Sequence, residues 1–99
     1  MYIGDIEDCF ETNINEFKKF QNVQNKLNRC RDVHVLLLLQ KTFDIYLSVL
    51  IYIDNVGVNL NVDMSDDKIL EKFTEELILE LVQCGVRYDS KEDCLVYYV

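Results

Sequence analysis

The chain has no proline, alanine or tryptophan, and it has three glycines and one histidine in 99 residues. Without a Pro/Gly-rich stretch nothing marks a linker, and a chain of this length with 49% hydrophobic residues is predicted to form a single α+β domain, 1–99. Gly4, Gly57 and Gly85 stand apart from one another, which excludes a glycine-rich phosphate loop. A lone histidine excludes a multi-histidine metal site, and His34 is read as a half-exposed strand residue. Positive charge is also scarce. Ten Lys and Arg against eighteen Asp and Glu give a net charge of -8, so direct binding to nucleic acid or an anionic membrane is disfavoured and a basic protein partner is favoured.

The four cysteines, Cys9, Cys30, Cys84 and Cys94, show neither a C-x-x-C nor a Cys/His zinc spacing. With no secretory signal in the sequence, they are expected to be reduced, buried thiols of a cytoplasmic protein. Cys84 and Cys94 flank a hairpin and are the one pair expected to be able to meet. The carboxylate groups Asp63, Asp66, Asp67 and Asp89, Glu92, Asp93 lack the pattern of a calcium loop, and helix capping and loop solvation explain them. No metal, no cofactor and no enzymatic activity are expected. The apolar stretch 33–53 carries Lys41 and Asp44 at its middle, each costing about 2.5 to 3.5 kcal/mol at the centre of a membrane helix. A membrane span is therefore not expected. The abundance of Ile, Asn, Lys, Asp and Tyr beside the missing Ala, Pro and Trp points to AT-rich codons, as in a phage, virus or mobile element.

Residues 45–62 carry the clearest pattern. Ile45, Leu47, Val49, Ile51 and Ile53 alternate with more polar positions, and after Asp54-Asn55 the parity switches to Val56, Val58, Leu60 and Val62. A two-residue loop at Asp54-Asn55 would pair Ile51 with Val58 and Val49 with Leu60, making one aliphatic face.

Ile6, Phe10, Ile14, Phe17, Phe20, Val23, Leu27 and Cys30 recur every three or four residues and predict a first helix, with Asn13 and Glu16 marking a second place at which it could begin. The leucine-rich run 33–40 is read as a strand covered on both faces, because the neighbouring hairpin needs a third strand, with a buried helix as the alternative. A second helix is expected from an N-cap at Ser65 through the stripe Leu70, Phe73, Leu77, Leu81 and Cys84 to a stop at Gly85. A closing hairpin of 86–88 and 94–99 follows. The resulting order is α-β-β-β-α-β-β, an antiparallel sheet with two helices packed on one face.

The α-β-β-β-α part of this order resembles a double-stranded-RNA-binding domain, but Asp66 and Asp67 stand where such a domain carries its basic cluster. The full order also resembles the small acidic chaperones of bacterial type III secretion, without their third helix.

Two surfaces are candidates for function. Asp67, Glu71 and Glu75, spaced by four, would form one acidic ridge of the second helix, extended by Glu76 and Glu80; the like charges repel, so stability alone would not select them. This ridge is expected to bind a basic partner. The other is the sheet face away from the helices, displaying Leu36, Leu38, Tyr46, Leu50, Tyr52, Asn59 and Asn61, suited to a partner or to a homodimer. The leading expectation is a small acidic inhibitor occupying the nucleic-acid-binding surface of a target protein, of an anti-defence or anti-CRISPR type. The alternatives are a homodimeric secretion-chaperone-like or structural interaction protein and an immunity protein against a basic toxin.

Overall fold

The computed structural model describes residues 1–44, 51–52, 57–60 and 62–98. The expected turn at Asp54 and Asn55, the pairing of Val49 with Leu60, and the positions of Tyr46, Leu50 and Asn61 lie outside the described residues.

Helix α1 (Ile3–Thr12) carries Asp5 in its first turn and buries Ile6 and Phe10, one turn apart. Its end is written locally. The Thr12 hydroxyl donates to the Asp8 carbonyl at 2.8 Å and the Asn13 amide to the Cys9 carbonyl at 2.8 Å, side-chain bonds that compete with continued helix. The apolar spacing from Ile6 to Cys30 therefore does not describe one helix. Two short 3-10 turns follow (Ile14–Glu16 and Phe20–Asn22), and Lys18 between them takes a φ of 63°, which interrupts any helix. Phe17, Phe20 and Val23 still reach the core from separate turns, while Leu27 and Cys30 are exposed.

The run expected as a strand is helix α2 (Arg31–Phe43), which buries His34, Val35, Leu38, Leu39 and Phe43. Asp32 in its first turn and Lys41 in its last match the helix dipole. His34 is fully buried rather than half-exposed. The third partner that the hairpin needs is supplied by the C-terminal strand.

The expected second helix is two helices. In α3 (Asp67–Leu70), Asp66 rather than Ser65 is the N-cap, accepting from the Lys68 N–H at 2.9 Å; Ser65 bonds back to Asp63. In α4 (Glu75–Gln83), Thr74 caps the first turn by accepting from the Leu77 N–H at 3.1 Å. Buried Phe73 lies at the break, its ring centroid 5.3 Å from that of Phe43. Helix α4 stops at Gly85, as expected, with φ 93° and its N–H on the Val82 carbonyl at 2.9 Å.

Among the described residues, β1 (Ile51–Tyr52), β2 (Gly57–Asn59), β3 (Val86–Asp89) and β4 (Cys94–Tyr98) form an antiparallel sheet in the order β1-β2-β4-β3. The first hairpin is one residue out of the expected register: Ile51 pairs with Asn59, and Tyr52 with Val58. Strand β2 is held on its other side by β4, with Val58 opposite Tyr97 and the Leu60 N–H on the Leu95 carbonyl at 3.0 Å. Leu60 and Val62 reach the core, as their parity implied.

The closing hairpin forms as expected, with Val86 opposite Tyr97 and Asp89 opposite Cys94. Cys84 and Cys94 thus sit at opposite ends of it, roughly 16 Å apart along the strand and beyond the reach of a disulfide. All four thiols are free; Cys84 and Cys94 are buried and Cys30 is exposed.

The class is α+β, in the element order α-α-β-β-α-α-β-β. Ile6 and Phe10 of α1, Leu39 of α2, Ile78 and Leu81 of α4, and Val86, Leu95 and Tyr97 of the sheet share one core. Cys94 to Tyr97 are all buried, so β4 is covered on both faces rather than one. Among the described residues no helix is long and apolar enough to cross a membrane.

Candidate docking groove

Helix α1 and helix α4 pack side by side through their apolar stripes, which leaves their polar flanks facing a shared groove. Glu75 and Glu76 occupy the first turn of α4, beside the Thr74 cap, where the helix dipole favours carboxylates. Asp5 and Asp8 come from α1. Together with Met1, Cys9, Thr12, Asn13 and Leu79 they line a groove of about 710 Å³. A second groove of about 550 Å³ continues from it through Met1 and Asp5 to Tyr2, Asp67, Leu70 and Glu71. Met1 is held in place by its amino nitrogen, which donates to the Leu70 carbonyl at 2.9 Å.

Six carboxylates, those of Asp5, Asp8, Asp67, Glu71, Glu75 and Glu76, therefore border two adjoining grooves that no lysine or arginine lines. None of the six takes part in an ion pair among the described residues, where the pairs are Lys19–Glu16 and Arg87–Glu11. Cys9 reports the local field. Burial pushes its thiol above the ordinary 9.0, and the charge of Glu75 pushes it the same way, against the bond from Asn13.

The acidic ridge expected on one helix is thus divided and reassembled. Asp67 belongs to α3, Glu71 follows it, and Glu75 and Glu76 open α4. They come together at the grooves with Asp5 and Asp8 of α1. Glu80 leaves the set: its carboxylate accepts from the His34 Nε2 at 3.0 Å and faces a separate hollow of about 350 Å³ with Asn22, Gln24, Asn25, Glu76, Leu79 and Gln83.

The expected sheet face is not assembled among the described residues. Leu36 and Leu38 belong to α2, with Leu38 in the core, while Asn59 is in β2 and Tyr52 in β1.

Cys84 is pushed up to about 12, by burial first and by Glu80 second, and burial also raises Cys94, so both are held away from the thiolate form that a nucleophile needs. No group of His, Cys, Asp and Glu among the described residues is placed to hold a metal ion. What the grooves offer is negative potential over a partly apolar floor. Comparison of the chain with protein-family models, with curated proteins and with solved structures finds no match.

Proposed function

We propose that this is a small acidic binding protein that docks its α1–α4 grooves onto a cationic surface of a partner protein and, by occupying a surface that otherwise holds nucleic-acid phosphates, inhibits it. The observation that carries this reading is the convergence of six carboxylates from α1, α3, α4 and the turn after α3 on two adjoining grooves without a lysine or arginine. Like charges brought together repel. Helix-dipole complementarity accounts for Asp5, Asp67, Glu75 and Glu76 one at a time, but not for Asp8 and Glu71, nor for the placing of all six beside one another. A cationic partner would relieve the repulsion and be steered by the same field. The net charge of -8 adds to that steering and discourages direct contact with nucleic acid. An anti-defence inhibitor from a phage, virus or mobile element is the class this reading favours.

The reading is tested by titrating the isotopically labelled protein with an arginine-rich peptide and following backbone amides. Shifts confined to residues 5–13 and 67–79, fading as salt rises, are expected. Shifts spread evenly over the acidic surface, or centred on the 89–93 loop, would overturn it.

A further inference from the structure

His34 has both ring nitrogens in use. Nδ1 accepts from the Leu27 backbone N–H at 3.0 Å, so it carries no proton; the proton is on Nε2, which donates to Glu80 at 3.0 Å. The ring is fully buried, with the Phe20 ring 5.4 Å away. Residues 24–29 form no helix or strand and are exposed. Among the described residues, the Leu27 bond is the one hydrogen bond that ties this segment to α2 or α4.

We propose that His34 is a proton-operated latch on residues 24–29. A proton added at Nδ1 would point at the Leu27 N–H, setting donor against donor, and the tether is lost. The link to α4 survives, because the imidazolium keeps Nε2–H on Glu80 as a charge-assisted bond. Proton uptake thus frees the segment without detaching α2 from α4. The charged and titratable groups on the elements that meet at His34 are Glu80 from α4 and Cys84 just after it; Lys26 from the segment, whose Nζ lies 5.3 Å from the centre of the Phe20 ring; Arg31 and Asp32 from α2; and Tyr97 from the sheet, whose hydroxyl donates to Asp32. Of these only Glu80 bonds the ring. Gln24 and Asn25 are walls of the hollow that Glu76 and Glu80 border, so release of the segment opens that hollow beside the docking groove.

The test is NMR of the whole chain from pH 8 to pH 5. At pH 8 the His34 ring is expected to carry its proton on Nε2, with the Leu27 amide protected from exchange. As the imidazole takes up its second proton, Leu27 protection should fall by about tenfold, the scale of one lost hydrogen bond, while Ile6, Leu39 and Leu81 stay protected. His34→Asn keeps an acceptor near the Nδ1 position and should leave Leu27 protected throughout. Glu80→Gln keeps an acceptor for the Nε2–H, so the Leu27 release should still accompany protonation of the ring whether or not the first variant folds. A proton on Nδ1 at pH 8, Leu27 protection that ignores ring protonation in the parent or in Glu80→Gln, or release only together with the core amides would each overturn the latch.

Discussion

The Tyr97 hydroxyl donates to the Asp32 carboxylate, joining the last strand to the first turn of α2 across 65 residues of chain. Arg31 adds a second tie from the same turn, with its guanidinium 5.1 Å from the Tyr97 ring centroid and Nη1 on the Cys84 carbonyl at 3.3 Å. Burial, and then the bond to Asp32, raise Tyr97 above the ordinary 10.0. Tyr97→Phe should lower stability at neutral pH by about 1 kcal/mol. Because the folded value is raised, the contribution is fully present below pH 10 and is lost as pH rises past it, since the unfolded chain ionises first. Denaturant melts at stepped alkaline pH should therefore show a shallower decline for Tyr97→Phe than for the parent.

Cys84 behaves in the same sense over a window that opens lower. Its thiol moves from 9.0 to about 12, so the stability it contributes falls as pH rises through that interval, and Cys84→Ala should remove that part of the slope. A thiol reagent at neutral pH should modify exposed Cys30 at the rate of a free thiol and reach Cys84 and Cys94 only at the rate of opening. Rapid native-state modification of Cys84 would contradict the packing described.

Gly85 is held by more than its φ of 93°. A Cβ built there would stand 2.6 Å from Arg31 Nη1 and 3.2 Å from the Tyr98 carbonyl oxygen, and the Gly85 carbonyl itself accepts from the Tyr98 N–H at 2.8 Å. The arginine tip can move and the strand backbone cannot move far. Gly85→Ala should cost about 2 kcal/mol, which calorimetry would read as a fall in Tm of roughly 10 °C.

Thr74 separates α3 from α4 by capping the latter. Thr74→Ala should cost about 1 kcal/mol, with Thr74→Ser close to the parent, as measured by urea unfolding. An alanine variant of unchanged or higher stability would mean that 66–84 prefers to be one continuous helix, as its apolar spacing alone suggests.

Where the sequence was legible, the determinants were local. Gly85 as a stop, the carboxylates around α4 and the closing hairpin with its polar loop are each written within a few residues. Where it misled, a distant partner decided. The leucines of 33–40 suit helix or strand alike, and the choice turned on which segment completes the sheet; β4 does so from the far end of the chain. Buried His34 follows from the same misreading, since a strand would have left it half-exposed. The docking groove was half legible: Asp67, Glu71, Glu75 and Glu76 stood out as excess charge, but nothing local says that α1 lies against α4 and adds Asp5 and Asp8.

On the proposed function these carboxylates act as a site rather than as a share of overall charge. The direct measurement compares two variants with the same change in net charge for their affinity toward one arginine-rich peptide, by calorimetry at low and at physiological salt. One variant is Asp8→Asn, Glu75→Gln, Glu76→Gln, in the groove; the other is Glu7→Gln, Asp44→Asn, Glu92→Gln, all exposed outside it. A loss of about tenfold or more and a flattened salt dependence are expected for the groove variant, and a loss of less than about twofold for the other. Equal weakening in both variants would contradict the proposed function and reduce the grooves to ordinary solvated acidic surface.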